Sequence, residues 1–555
     1  MVRRRGPVTL LFAAALAAIF FVMPAPPADA SMSQVTIVQD DARLDANPAA
    51  TLNRLRLIGA QAVRVSVAWS SIAPMPKARR APAHFDATNP AAYPASHWRL
   101  WDAIVTEAQR DGITVDFDLM GGAPQWAVGP GRPAGNSNPN WEPSPTDYGQ
   151  FVRAIGTRYS GSYIPAGRSS PLPRVNFWSI WNEPDYGPSL APQGVPGDLS
   201  VENSPRMYRN LVGAAWNGLR ASGHGPSTDT ILFGELAPRG QTVFGVFSGM
   251  TPLAFLRALY CVNAGYRELR GFAAKIRGCP ATAAGSRRFR AENPALFSAS
   301  GVADHPYMRW YPPNREPNPD PTNHLSTRDY STLGTLGNLT KALDRLVAVY
   351  GAQTHLPIYD TEFGYITSPP KHSPDPSNRI VRYLSPATVA AYMNQAEYMS
   401  WRNPRLRSFD QYLLYDPNRP SAKNDWGGFA SGVLTWNGAQ KVTYAALRLP
   451  LYLPVSTTRS GKALEVWGCV RPAPFGALDT NQPQTAEIQF APRSGGPYTT
   501  LDTVTIAAGG SCYFDQDVVI PSSGTVRLAY TYPAIEPFPA GGVQVFSRVV
   551  AVKVR

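Results

Sequence analysis

The sequence predicts an α/β protein, a (β/α)8 barrel with a C-terminal antiparallel β-sandwich. Three observations predict it. Eight short β-branched runs alternate with amphipathic stretches between residue 35 and about residue 450, and such alternation builds a parallel sheet with helical crossovers. An open doubly wound sheet is the alternative, but the Gly-rich phosphate turns that usually mark one (G-x-G-x-x-G, G-x-x-x-x-G-K-[ST]) are missing from the sequence. After Leu453 helical periodicity gives way to alternating strands divided by Ser, Gly and Pro turns.

Residues 1–30 read as an export signal rather than structure. Arg3, Arg4 and Arg5 form a positive start, and the run from Val8 to Met23 is apolar. Pro24, Pro26 and Pro27 end the run, and Ala28-Asp29-Ala30 fits an A-x-A cleavage site. The run's 16 residues fall short of the roughly 20 that a spanning helix needs. An uncleaved anchor is the rival reading. Export predicts a secreted, extracellular protein with no stable membrane insertion after cleavage.

The barrel is expected over residues 31–452. Its strands are read at Val35–Val38, Ala62–Val67, Ile113–Leu119, Val175–Ile180, Ile231–Phe233, Gly301–His305, Pro357–Asp360 and Phe409–Leu414. Its helices are read at Ala50–Ile58, Trp98–Ala108, Thr146–Tyr159, Pro205–Ala221, Leu336–Tyr350 and Thr388–Trp401, where apolar residues recur at helical spacing. The accessory sandwich is expected over 453–555, with strands at Leu464–Trp467, Ala486–Phe490, Val518–Ile520, Val526–Tyr530 and Val543–Val552.

Composition narrows the class. With 44% hydrophobic residues among 555, the chain can build large cores, and wholesale disorder is excluded. The net charge is +13, but the 44 Arg and 8 Lys are scattered rather than clustered, so no nucleic-acid partner is expected. No G-x-S-x-G elbow, C-x-x-C or H-E-x-x-H occurs. A serine hydrolase is therefore not indicated, and neither a metal site nor a cofactor is expected. The four cysteines, Cys261, Cys279, Cys469 and Cys512, are even in number in an exported chain, which suggests disulfides. Three pairings are possible. The local one, Cys261 with Cys279 and Cys469 with Cys512, keeps each bridge within one domain.

In a barrel the chemistry lies at the C-terminal ends of strands. Glu183 follows the fourth strand in Phe177-Trp178-Ser179-Ile180-Trp181-Asn182-Glu183-Pro184. Glu362 follows the seventh in Ile358-Tyr359-Asp360-Thr361-Glu362-Phe363-Gly364. Barrel closure can bring these two ends face to face. A carboxylate pair suits cleavage of a glycosidic bond, one group protonating the leaving oxygen while the other attacks the anomeric carbon or activates water.

These segments resemble glycoside hydrolase clan A. Trp181-Asn182-Glu183-Pro184 is similar to its Asn-Glu-Pro motif, and Thr361-Glu362-Phe363-Gly364 to its nucleophile segment. Ala62-Val63-Arg64-Val65 with Trp69, Pro124-Gln125-Trp126-Ala127, Asp304-His305-Pro306-Tyr307 and the stretch from Gly438 through Lys441 to Tyr444-Ala445-Ala446-Leu447 resemble further clan motifs in order. The resemblance covers about residues 35–450 and lies nearest family 39 or a family 5-like or endoglycosidase-like branch.

It implies a retaining glycosidase with Glu183 as acid/base and Glu362 as nucleophile. Asn182 would meet the sugar 2-hydroxyl. Arg64 and Tyr307 would hold Glu362 ionised and oriented, and His305 would line the subsite floor. The implied substrate is an oligo- or polysaccharide or glycoside, β-linked or α-L-arabinosidic. A transglycosylase on the same site and a non-catalytic carbohydrate-binding barrel are the alternatives.

Aromatic rings stack on apolar sugar faces, which makes Trp69, Trp126, Trp181, Trp310, Trp426 and Trp436 candidates for binding, while Trp98, Trp101, Trp178 and Trp216 read as core. Glu235 ends the fifth strand and is expected to pair with an Arg. Trp467, the only Trp of the sandwich, lies mid-strand. That favours a structural domain packed on the barrel over a carbohydrate-binding module.

Overall fold

A computed structural model of the chain describes residues 31, 33–241, 245–315, 327–367, 383–417, 429–493, 496–534 and 541–555. The expected export signal, residues 1–30, lies outside them, as does Trp426.

Eight parallel strands form one sheet: β1 (Val35–Gln39), β2 (Ala62–Ser66), β3 (Thr114–Leu119), β4 (Phe177–Ile180), β5 (Thr230–Leu236), β6 (Gly301–Asp304), β7 (Ile358–Asp360) and β8 (Ser408–Tyr412). Their order is β8-β1-β2-β3-β4-β5-β6-β7. The ring closes between β7 and the start of β8, where Ile358 N–H donates to Arg405 O and Arg407 N–H donates to Ile358 O. All eight strands overlap runs read from the sequence, where short segments rich in β-branched residues alternate with amphipathic helical stretches.

The helices are set by local chemistry. Asn47 caps the helix Pro48–Ile58 by accepting from Ala50 N–H, with Pro48 fixing the first turn. Ser144 and Ser385 cap Pro145–Arg158 and Pro386–Trp401 in the same way. Gly59 ends Pro48–Ile58 in the left-handed region (φ 93°), and a Cβ there would sit 2.2 Å from Arg471 O. Only glycine satisfies both constraints.

Beyond the barrel stand two sheets. A three-stranded antiparallel sheet joins Leu451–Tyr452, Ala463–Cys469 and Tyr513–Val519. The larger sheet joins Thr457–Thr458, Val550–Val554, Gly524–Thr531, Gln484–Pro492 and Thr499–Ile506, with Gln544–Phe546 also pairing Gly524–Thr531. The strand Thr499–Ile506 escaped the sequence reading because its Thr and Asp residues face solvent on the sheet's edge. The expected strand Val543–Val552 is two short strands. Helical structure also does not stop at Leu453, since Ala473–Thr480 is a helix. Both disulfides take the local pairing, Cys261–Cys279 and Cys469–Cys512.

These sheets are packed against the barrel's helices. Trp467 is fully buried, with Tyr513 stacked on it at 5.6 Å and Trp401 at 5.9 Å. Glu397 of the helix Pro386–Trp401 meets Arg471 at 2.6 Å and accepts from the Tyr513 hydroxyl at 2.8 Å, all three side chains buried. Arg471 also donates to Thr36 Oγ1 on β1, and Arg56 pairs with Asp479 at 2.7 Å. Glu397→Ala would strand a buried guanidinium, and we expect it to cost about 3–5 kcal/mol. Equilibrium denaturation checks this, and an unchanged midpoint would show that the junction carries no stability.

Candidate active site

The ends of β2, β4, β5, β6 and β7 build the site, and two of them, β4 and β5, are shaped by an unusual piece of backbone. After β4, Trp181 and Glu183 both adopt positive φ (67° and 41°). Side chains other than glycine take this region at a cost, so something must hold them there. The Trp181 indole is fully buried and donates to Ser189 O at 3.0 Å, while Glu183 N–H donates to Glu235 O at 2.9 Å. A Cβ on Gly121 would lie 2.6 Å from the Trp181 ring, so the neighbouring turn must be glycine.

On β5 the ladder to β6 shifts register between Phe233 and Leu236. Gly234 (φ 113°) and Glu235 (φ 49°) form this bulge, which turns Glu235 into the barrel.

Arg64 of β2 is the hub, with no exposed surface. Its Nη1 donates to Glu362 Oε1 at 2.7 Å and to Gln39 Oε1 at 2.6 Å. Its Nη2 donates to Glu235 Oε2 at 2.8 Å, Asn182 Oδ1 at 2.9 Å and Asp118 Oδ2 at 3.0 Å. Binding Asn182 through its carbonyl oxygen leaves the amide NH2 as that residue's donor. The Tyr307 hydroxyl donates to Glu362 Oε2 at 3.1 Å, so each oxygen of Glu362 has its own donor.

His305, also fully buried, has Nδ1 3.1 Å from Glu183 Oε1 and Nε2 2.8 Å from Glu235 Oε2. Glu362 Oε2 lies 3.6 Å from the same Nδ1. Single ligand atoms of Glu183, His305 and Glu362 lie within 4.8 Å of one another. Such a trio has the reach to hold a cation. Here each ring nitrogen lies within hydrogen-bond distance of a carboxylate oxygen, and a ring held protonated would offer no lone pair to a metal.

The electrostatics follow from burial and from two cations. Burial opposes charge on Glu235, but Arg64 and then His305 outweigh it and hold that carboxyl down at about 2. Burial likewise opposes the His305 cation, yet Glu362 and the hydrogen bonds to Glu183 and Glu235 hold the ring well above its ordinary value. The neighbouring aspartates go the other way. Burial pushes Asp116 and Asp304 up to about 8 and holds Asp118, Asp360 and Asp410 well above the carboxylate range.

A raised native value means that the folded chain keeps a proton that the unfolded chain has lost. Stability then falls as pH climbs from about 4 to about 8 through the window that Asp116 and Asp304 set. His305 acts in the same direction, while the contribution of Glu235 is lost only in strong acid. We therefore expect the melting temperature to be several degrees higher at pH 5 than at pH 8, and Asp116→Asn to flatten that slope. Thermal melts across this range test it, and a melting temperature that rises with pH would refute it.

The candidate residues separate into three groups. Glu183, Glu362, Arg64, Asn182, His305 and Tyr307 converge in one hydrogen-bonded cluster. Trp126 is half-buried and packs edge-on against Trp69 at 6.0 Å. Trp436 is exposed and lies with Arg43, which donates to its carbonyl at 2.8 Å; that contact does not join it to the carboxylates.

Trp69 is a correction. Its ring is fully buried against Phe151, Tyr148 and Trp126, and it has no free face for a sugar. The same holds for Trp181. Glu235 does pair with an Arg, but the partner is the hub Arg64, which puts it inside the cluster.

Sequence reasoning missed the aromatic wall beside Glu362. Tyr412, at the end of β8, and Phe429 pack with Tyr307 at 6.3 and 5.4 Å, and Phe429 is 38% exposed. The position of Tyr412 at a strand's C-terminal end was the available signal.

No protein-family model matches this sequence, and no curated protein does. Among solved structures, a family 39 glycoside hydrolase from Bacteroides cellulosilyticus WH2 is similar at 14% identity, covering 89% of this chain and 81% of the other, with a TM-score of 0.44. An endo-β-1,4-mannanase from Thermotoga petrophila is similar at 10% identity, covering 95% and 98%, with a TM-score of 0.38. A family 51 α-L-arabinofuranosidase from Bifidobacterium longum is similar at 11% identity, covering 87% and 95%, with a TM-score of 0.39.

Proposed function

We propose that this chain is a retaining glycoside hydrolase. The observation that carries the reading is the spacing of the two glutamates, with a carboxylate oxygen of Glu183 and one of Glu362 within 4.8 Å at the C-terminal ends of β4 and β7. Retention needs carboxyl groups only about 5–5.5 Å apart, whereas inversion needs about 6.5–9.5 Å to seat a water between them.

Glu362 is the nucleophile, because Arg64 and Tyr307 each donate to one of its oxygens and orient it toward the cleft. Its free electron pair attacks the anomeric carbon as the glycosidic C–O bond breaks, and Glu183 gives its proton to the departing oxygen. Glu183, now a carboxylate, takes a proton from water. That water displaces Glu362 and restores both groups. Asn182, held by Arg64, offers its amide to the adjacent hydroxyl, and Tyr412 and Phe429 supply an apolar wall.

The substrate is an oligo- or polysaccharide or glycoside, β-linked or α-L-arabinosidic on the strength of the motif resemblance. The barrel, 31–452, carries the chemistry, and residues 453–555 serve as a structural partner. The two closed disulfides and the signal-like residues 1–30 support export. No helix among the described residues is long and apolar enough to cross a membrane.

A hydrolysis screen of the mature protein tests the reading, using aryl β-D- and α-L-glycosides and a polysaccharide panel with Glu362→Ala as control. Release that depends on Glu362, with retained configuration in the first-formed sugar, is expected. Release that survives in the control would refute the assignment, and an aryl glycoside lengthened by one sugar, formed when the supplied glycoside takes the place of water, would favour transglycosylation.

A further inference from the structure

We propose that Glu235 is a positioning residue that fixes His305 as a donor at both ring nitrogens, and so keeps the transferable proton of Glu183 on the oxygen turned away from the ring. The inference rests on the glycosidase reading for its catalytic consequence, but the state of the ring can be tested without it.

The geometry carries it. Glu235 Oε2 receives Arg64 Nη2 at 2.8 Å, His305 Nε2 at 2.8 Å and the Thr361 hydroxyl at 3.0 Å. Arg64 and Thr361 already donate to this oxygen and Glu235 is held as a carboxylate, so it has no hydrogen to give and Nε2 must carry one. The other nitrogen faces Glu183 Oε1 at 3.1 Å.

If the ring were neutral, Nδ1 would hold a lone pair, and Glu183 could satisfy it only with its own proton. That proton would then point at the imidazole instead of at a leaving oxygen. With both nitrogens protonated, Nδ1–H occupies Oε1, and the proton of Glu183 sits on Oε2.

Among the described residues, the other charges around the ring do not supply this through the whole cycle. Asp185, Asp304 and Asp360 also face His305, but burial favours their neutral forms. In the resting site Glu362 is the strongest aid to the ring cation, but it faces Nδ1 from 3.6 Å, shares its charge with Arg64 and is neutralised when it bonds to the sugar. Among the described residues, Glu235 alone keeps an ionised oxygen on the ring throughout the cycle, and the bulge at Gly234 places it there.

The test is Glu235→Gln, which keeps an acceptor for Nε2–H and removes the charge. Imidazole NMR of the folded protein, with the His305 signal assigned by its loss in His305→Asn, reads the ring directly. We expect a wild-type ring that stays charged through pH 8 and a Glu235→Gln ring that becomes neutral at lower pH. We expect kcat on an unactivated glycoside to fall about 10–100-fold at pH 8, and only about threefold or less at pH 5 where the ring recharges. This pH dependence should vanish in the His305→Asn background.

An equal loss at every pH, or a ring that remains charged in Glu235→Gln, would overturn the proposal. If that variant does not fold, the wild-type titration decides, since a wild-type ring neutral below pH 7 would overturn it. Silence of the wild-type enzyme on every glycoside would instead refute the glycosidase reading and leave the NMR result standing.

Discussion

Glu362→Ala is expected to lower turnover by about four to six orders of magnitude while the protein stays folded. The fold should survive because Arg64 loses one of five acceptors and keeps Glu235, Asp118, Asn182 and Gln39. Chemistry should not survive, because among the described residues no other carboxylate is poised at the anomeric carbon: Asp118 and Glu235 are fully buried under Arg64. Azide can enter the space left by the side chain and attack in its place. That single displacement inverts the sugar, so the product should be a glycosyl azide of configuration opposite to the substrate. Wild-type-like turnover, or an azide product of unchanged configuration, would rule out Glu362 as the nucleophile.

The strands of the barrel were legible from short β-branched runs set between amphipathic stretches, although buried polar residues such as Arg64, Asp116 and Asp410 interrupt them, and the positions of Glu183 and Glu362 were legible because strand ends are where a barrel does chemistry. Trp69 was misread for a physical reason. A Trp after a strand can face the cleft or the helical shell, and one sequence does not say which. Here Phe151 and Tyr148 of the helix Pro145–Arg158 claim the ring.

Glu235 was seen as the partner of an arginine, yet its place in the site depends on a bulge. Gly234 is the only trace of that bulge in the sequence, and a single glycine in a strand has several meanings. The edge strand Thr499–Ile506 was invisible because an exposed edge carries polar residues, the same composition that marks a loop. The buried aspartates were also opaque. Nothing in Asp116 or Asp118 as letters shows that both lie under one guanidinium.

Glu183→Ala should separate its two duties by substrate. With a poor leaving group, such as another sugar, bond cleavage needs the proton of Glu183, and kcat/KM should fall by about 10²–10⁴. With a strongly acidic phenol as leaving group, little proton donation is needed in the first step, and kcat/KM should fall by about tenfold or less. The second step still lacks its base, so the glycosyl-enzyme accumulates and kcat and KM fall together. Azide, which needs no base, should relieve this block by attacking the intermediate on Glu362. Two displacements restore the starting configuration, so this variant should give a glycosyl azide of the same configuration as the substrate, opposite to that from Glu362→Ala. The stereochemistry of one small product thus assigns each carboxylate independently of how much activity remains. Equal losses on both substrate classes, or the same azide anomer from both variants, would show that Glu183 is not the acid/base.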